Sequence, residues 1–584
     1  MKNRYCLLLS AIAFLGVAKS AQAQIAPDGS TATQVNGNVI APTGSGTVNG
    51  GNLYHSFNEF NVPQSGVVFG NGNLDGTQVH NIINRVTGGN PSAVLGTIES
   101  RQAFPNANLY LMNPNGIVFG QNARLDIGGS FHATTGTGLG FDGGQAFNVD
   151  KNSLVFPSGD PKNIRFAISQ PAGIINQGNL SVDTGKSITF TGGSIINTGT
   201  LTAPSGNVAL ISVAGNSVVE LRSPDAVLGL QVTANAIPSN WSGKITDLPK
   251  LAELLTGKVP EANQVVVKAD GSLALVASPE PTDLAVTNGM TIVSGQINVS
   301  PLLDKGGQGG VVGIFGEKVG LVNARIDASG LNGGGTVLIG GDFQGKGTVP
   351  NALRTFVDSN SRIDVSAILN GNGGKTIVWS DQSTRFLGSI AANGGTQSGS
   401  GGFVEVSGKQ NLDYRGTVNT LATNGNIGTL LLDPTDITVI AIGGSFTVLT
   451  DVDQFADPNI GANTLAVNLI NSAATNVILQ ATNDINFNTP VAITAAGVGL
   501  TAQAGRDINA NSNIATNAGA INFTAGRDIV GIGAINTIPI TGSAADINLT
   551  VGRDIRVNSI DAGSVDSSGG NVFLQAVNNR LVWK

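Results

Sequence analysis

The sequence predicts an all-β chain wound into a right-handed parallel β-helix. Three observations carry that expectation. Glycine supplies 81 of 584 residues, yet hydrophobic residues still make up 41%. Apolar side chains recurring that regularly fill a core, where a Gly-rich chain poor in them stays disordered. Strand-like runs of three to five residues return at intervals of mostly 20 to 28 residues, the period of a solenoid coil. Gly and Asn punctuate the runs, and both tolerate the positive φ that sharp corners need.

The first element is not part of the fold. Lys2 and Arg4 precede a short apolar run, Leu7 to Val17, and Ala21-Gln22-Ala23 follows as a small-x-small cleavage site. Residues 1–23 therefore read as a secretory signal peptide. The apolar run is too short to anchor in a bilayer. No later segment has the apolar length of a membrane helix, so the mature chain is expected to be exported with no transmembrane segment. The single cysteine, Cys6, leaves with the signal. A long exported chain without disulfides must be held by a large core. Losing Lys2, Arg4 and Lys19 takes the formal charge from -7 to -10, an acidic balance that argues against nucleic acid as a partner.

The coils follow. Gly173-Ile-Ile-Asn-Gln-Gly-Asn-Leu180 recurs as Ser194-Ile-Ile-Asn-Thr-Gly-Thr-Leu201, 21 residues on. Gly-Gly pairs at Gly309, Gly334, Gly373 and Gly401 each introduce an alternating strand, at spacings of 25, 39 and 28. Short second strands succeed some of them, as at Arg325 to Asp327 and Arg362 to Val365. Near the C-terminus Asp484, Asp507, Asp528 and Asp554 stand 23, 21 and 26 apart in Asn-Asp-Ile or Gly-Arg-Asp-Ile motifs. Leucine-rich repeats are disfavoured by the missing L-x-x-L-x-L spacing, and propellers by blades of about 40 residues. Some 540 residues at about 22 per coil give about 25 coils, a rod of roughly 120 Å at about 4.8 Å per coil. Asp247 to Leu255 reads as a short amphipathic helix, and Gly340 to Ser361 as an external loop inserted in the 39-residue coil.

One turn is singled out. A β-rich run, Leu109 to Met112, enters Asn113-Pro114-Asn115-Gly116, and Ile117 to Phe119 leaves it. Pro114 presets φ, and Asn115 and Gly116 accept positive φ, so the segment is a hairpin or a β-helix corner.

Little chemistry is legible. His55, His80 and His132 lack metal-ligand spacing. No mature cysteine is present for thiol catalysis, and no Gly-x-Ser-x-Gly lies between a strand and a helix. The aspartates are spread one per coil, reading as a charge ladder with Arg506, Arg527 and Arg553. Trp241, Trp379 and Trp583 are too scattered for a sugar platform. The sequence thus predicts no catalytic residues, no metal and no cofactor.

The ordered series His55-Ser-Phe-Asn-Glu-Phe-Asn-Val-Pro63, Asn81-Ile-Ile-Asn-Arg-Val-Thr-Gly-Gly89, Leu95-Gly-Thr-Ile98 and Asn108 to Gly120 resembles the N-terminal secretion domain of the filamentous haemagglutinin family. These are the exported partners of two-partner secretion in Gram-negative bacteria. The resemblance is closest over Gln24 to Phe131 and extends to Asp270. The later Gly-Gly coils, Leu430 to Pro434 and the Gly-Arg-Asp-Ile coils resemble the family's passenger region. The resemblance implies an N-terminal secretion domain capping the β-helix, with small insertions outside the coils. It implies recognition by a dedicated outer-membrane transporter β-barrel, passage via the periplasm, and a secreted or surface-associated adhesin. The host or cell-surface receptor is not implied.

Asn113, Pro114, Asn115, Gly116 and Ile117 match the family's secretion motif. Its second motif, Asn-Pro-Asn-Leu, is represented by Asn106, Asn108 and Leu109, with Ala107 in place of proline. Both a purely structural role and a recognition role stay open for the turn, whereas Asn81 to Gly89 reads as structural. The expected modules are residues 1–23, the secretion domain 24–270, Gly-rich coils 271–434 and C-terminal coils 435–584. Two alternatives are a β-helix enzyme acting on extracellular polysaccharide, which converging carboxylates in one groove would favour, and a truncated carrier of a larger exoprotein.

Overall fold

The strands stack as the repeats predict. The computed structural model describes residues 25–44, 47–221, 231–234, 264–267, 273–277, 280–283, 287–302, 306–441 and 463–577. The expected signal peptide and the expected helix at Asp247 to Leu255 lie outside the described residues.

A parallel β-helix runs from Asn52–Phe60 to Val572–Ala576. Its first face belongs to an 18-stranded sheet. Two of those strands, Ile25–Pro27 and Val48–Asn49, pair antiparallel to Asn52–Phe60. The other 16 run parallel, one per coil. A second face of nine strands spans Ser92–Val94 to Asn411–Tyr414, and shorter stacks close the remaining side. In-register partners repeat the same side-chain chemistry. One inward column reads Leu53, Ile82, Leu109, Phe131, Ile188, Val208, Val312, Val337, and all are buried in one continuous core. The repeats at Gly173 and Ser194 sit directly on one another, with Ile174 beside Ile195 and Leu180 beside Leu201.

The expectation of about 25 coils is too high. Among the described residues sixteen strands define 15 steps, a rise of about 72 Å at about 4.8 Å each. Among the described residues, part of the chain is spent outside the coils. Val208 pairs directly with Val312 although 104 residues separate them, and Phe131 with Ile188 across 57.

One of these excursions shapes the N-terminal part. Gly138–Gly140, Ala146–Asn148, Asn163–Phe166, Ser217–Glu220 and Gln231–Ala234 form an antiparallel sheet. It packs Leu139, Phe147, Ile164, Phe166 and Val219 onto outward-facing Tyr54, Ile83, Tyr110 and Met112, a second apolar core. Burying that face stabilises the coils in proportion to the apolar area covered. At the N-terminal end Thr33–Asn36 pairs antiparallel with Val39–Pro42 and, with Ile25–Pro27, closes the open strand edge, which would otherwise template pairing with other chains.

The predicted external loop at Gly340 to Ser361 is shorter than expected. Arg354–Val357 is an ordinary strand of the second face, between Lys318–Leu321 and Ser383–Phe386. Only residues 340–353 leave the coil. The alternation in Arg-Thr-Phe-Val is too brief to separate from loop sequence by pattern alone. Among the described residues no helix is long and apolar enough to cross a membrane.

Candidate functional site

The Asn113 to Ile117 segment is a corner of the β-helix, not a hairpin. Asn108–Met112 belongs to the first face and Ile117–Phe119 to the second, each pairing parallel with strands of neighbouring coils. The corner closes through Gly116 N–H donating to Asn113 O at 3.1 Å. Positive φ falls at Gly116 alone, at 115°, a conformation that favours glycine.

Asn113 is fully buried, and its amide is saturated. Its Nδ2 donates to Asn90 O and Ser92 Oγ, both at 3.0 Å, on the preceding coil. Its Oδ1 accepts from Asn115 N at 3.0 Å and Asn115 Nδ2 at 3.2 Å, an Asx turn. Gly116 O accepts from Ser92 N, and Ile117 N donates to Gly173 O of the following coil. Ile117 is core. The corner is therefore riveted to the coils on both sides. What it presents to solvent is Asn115, exposed, and Pro114, half-buried. Asn115 Nδ2 also donates to Gly88 O at 2.7 Å, which fixes the direction of that exposed amide.

The second candidate segment divides the same way. Asn106 is exposed and Leu109 is core. Ala107, which replaces the motif's proline, is fully buried. Asn108 belongs to a polar ladder across successive coils. Asn81 Nδ2 donates to Asn52 Oδ1 at 2.8 Å, Asn108 Nδ2 to Asn81 Oδ1 at 3.0 Å, and Ser130 N to Asn108 Oδ1 at 2.8 Å. The ladder satisfies buried amides along the axis.

Sequence reading missed the polar anchor beside these corners. Arg85 is fully buried in a strand that otherwise reads as apolar and amide-bearing. Its Nε donates to Ser56 Oγ at 2.7 Å, one terminal nitrogen to Asn148 O at 2.6 Å and Ser153 O at 3.1 Å, and the other to Ser30 Oγ at 3.0 Å. The guanidinium lies over the Phe147 ring, 4.5 Å from its centroid, a cation–π contact. Burial pulls the Arg85 pKa down, opposed by Asp28 and Asp150. Asp28 accepts from Ser30, Ser56 and Thr87 hydroxyls at 2.6 to 2.7 Å. Burial pushes its carboxyl up, but those donors outweigh it and hold it below the usual carboxylate range. The N-terminal cap, the first coils and the covering sheet thus meet on one arginine. An arginine inside a strand of buried alternation was the available signal.

Two histidines are buried and neutral. Burial lowers His55 to about 3 and His132 to about 4. His55 Nδ1 bonds Thr33 Oγ1 at 2.9 Å, and His132 stacks on Tyr110 with centroids 4.4 Å apart. Among the described residues no three His, Cys, Asp or Glu side chains converge to hold a metal ion. In the C-terminal coils Arg506 reaches back to Asp484 at 2.6 Å, Arg527 to Asp507, and Arg553 to Asp528. Asp484, Asp507 and Asp528 are thus spent on coil-to-coil pairing at a solvated corner, and Asp554 pairs with Arg556 of its own coil.

Residues 23–247 match the family of TPS secretion domains. The chain is similar to a heme/hemopexin-binding protein of Haemophilus influenzae, 30% identical over 151 residues. That match covers 24% of this chain and 16% of the relative's length. Among solved structures it is similar to the HMW1 secretion domain from Haemophilus influenzae, at 21% identity and a TM-score of 0.34, covering 69% of this chain and 97% of that one. A filamentous hemagglutinin secretion domain matches at 16% identity and a TM-score of 0.28, covering 69% of this chain and 98% of that one.

Proposed function

We propose that this chain, a two-partner secretion exoprotein with its secretion domain at residues 23–247, is passed to the cell exterior by an outer-membrane β-barrel transporter that recognises that domain. The observation that carries the proposal is that this match falls on the capped end of the β-helix, where the Asn113 corner holds Asn115 out to solvent. Asn113, Gly116 and Ile117 build the corner, and Pro114 and Asn115 are the surface the transporter meets. Asn106 is a second exposed contact, with Asn108 and Leu109 supporting it from inside the coil.

The fold supplies a direction for export. Each interior coil of the first face pairs with one coil before it and one after. A coil emerging outside the membrane buries its apolar column and strand edge only on a coil already formed. Folding at the exit therefore draws the chain outward, since the folded state withdraws emerging chain from the unfolded pool. The proposed order is a signal peptide at 1–23, a secretion module to residue 270, Gly-rich coils to 434 and C-terminal coils to 584. In this reading the later coils serve outside the cell as an adhesive scaffold, not as an enzyme. Expressing the full chain with and without a co-expressed transporter tests the proposal. Extracellular protein only in the presence of the transporter is the expected result, and export without it would refute the reading.

A further inference from the structure

The external loop at residues 340–353 covers part of the first face in a way coil stacking does not require. Its two ends are pinned together, with Gly340 N donating to Ile314 O at 2.9 Å and Ala352 N to Gly340 O at 2.7 Å. Ala352 O in turn accepts from Asp381 N. Residues 341–351 can therefore lift without breaking a ladder bond of the helix.

Beneath the loop lies Trp379, 3% exposed. Gly345 sits against its indole, and a Cβ there would come within 2.5 Å of the ring. Asn351 Nδ2 and Trp379 Nε1 both donate to Asp381 Oδ1, at 3.1 and 3.2 Å. Deeper still is Glu405, fully buried on the outward side of the sheet. Both its oxygens accept from one backbone amide of the loop, Gln344 N, at 3.2 and 3.1 Å. Gln344 takes up a left-handed φ of 53°, a cost for a non-glycine residue that delivers its amide to the carboxyl. Gln344 Nε2 reaches on to Gln480 Oε1 at 2.9 Å.

We propose that residues 341–351 form a pH-responsive latch, seated on Glu405 and released when that carboxyl ionises. The neighbouring charges compensate an ionised Glu405 only in part. Lys375 pairs with Asp342 of the latch at 2.9 Å, and Lys346 donates to Gln344 Oε1 at 2.8 Å. Asp433, on the next coil, adds a second negative group. Burial pushes Glu405 up to about 7; the Gln344 amide and the Ser407 hydroxyl oppose this, Asp433 adds to it and Lys375 opposes it. Burial raises Asp433 to about 6 as well, opposed by Lys346. With the latch lifted, Glu405 meets water and returns toward 4.5. The closed form therefore binds the extra proton between those limits, and closure weakens as pH rises through neutral. Release uncovers the Trp379 indole beside Glu405 and Asp433.

Hydrogen exchange of the full chain from pH 5.5 to 9, corrected for intrinsic exchange, tests this. Protection of the Phe343 to Lys346 amides should fall roughly 30- to 100-fold across that range, while the strand Lys375–Ser380 stays unchanged. Glu405→Gln should keep the latch protected and remove the pH dependence. Gly345→Ala, clashing with Trp379, should leave the latch unprotected at every pH. Uniform protection across pH in the wild type, the same pH dependence in Glu405→Gln, or full protection in Gly345→Ala would each overturn the proposal.

Discussion

Replacing Asn113 with alanine separates the corner's structural work from its exposed surface. The substitution removes two donated bonds, to Asn90 O and Ser92 Oγ, and two accepted from Asn115. At about 0.5 to 1.5 kcal/mol net per bond, with the Asn115 amide retaining access to water, the corner loses about 2 to 4 kcal/mol. Its closing bonds survive on paper, since Gly116 N to Asn113 O and Ser92 N to Gly116 O are main-chain. They should nonetheless open more often. At about 1.4 kcal/mol per factor of ten, exchange at the Gly116 and Ser92 amides should accelerate by roughly 30- to 1,000-fold. Asn115→Ala deletes one exposed contact, to Gly88 O, and one part-buried contact, to Asn113 Oδ1, leaves the bond from Asn115 N to Asn113 Oδ1 in place, and should change the same amides by less than about tenfold. Native-state hydrogen exchange resolves both variants locally, which suits a solenoid whose coils need not unfold together. Protection in Asn113→Ala within threefold of wild type would refute the claim that this amide holds the corner.

Two further outcomes follow from buried charge. His132 takes up its proton only at about 4 when folded but near 6.5 when unfolded. The unfolded form therefore binds more protons in between, and stability should fall as pH drops from about 6.5 toward 4, by about 3 kcal/mol from this residue. His132→Phe, which keeps the stack on Tyr110, should flatten that part of a urea-midpoint series, and an unchanged slope would contradict the assignment. Arg85→Met removes four hydrogen bonds and the contact over Phe147 and frees the 148–153 segment from the first coils; a loss of about 2 to 6 kcal/mol should appear as early exchange in that segment, and wild-type protection there would count against the anchor.

Much of this fold was readable because a solenoid writes its contacts into sequence spacing. Ile174 and Ile195 are 21 apart and lie side by side, and the aspartates of the Gly-Arg-Asp-Ile coils meet the arginines of the next coil. The excursions were not readable. Nothing periodic links Val208 to Val312, so the coil count came out too high. The antiparallel sheet over Tyr54 and Tyr110 obeys long-range packing of Phe147 and Phe166, which a local pattern does not encode. At the candidate corner, residue types announced a turn, and the partition into buried Asn113 and exposed Asn115 came only with the neighbouring coils in place. Glu405 looked like one polar position in an alternating strand until the loop from residue 340 placed an amide over it.

The most direct test compares wild type and Asn115→Ala, each co-expressed with a candidate transporter, by the distribution of full-length protein between medium and periplasm. Wild type should reach the medium only with the transporter, while Asn115→Ala should accumulate in the periplasm despite retaining the corner's exchange protection. Equal release of both, or release of wild type with no transporter, would contradict that expectation and leave Asn113 to Ile117 as a structural corner alone.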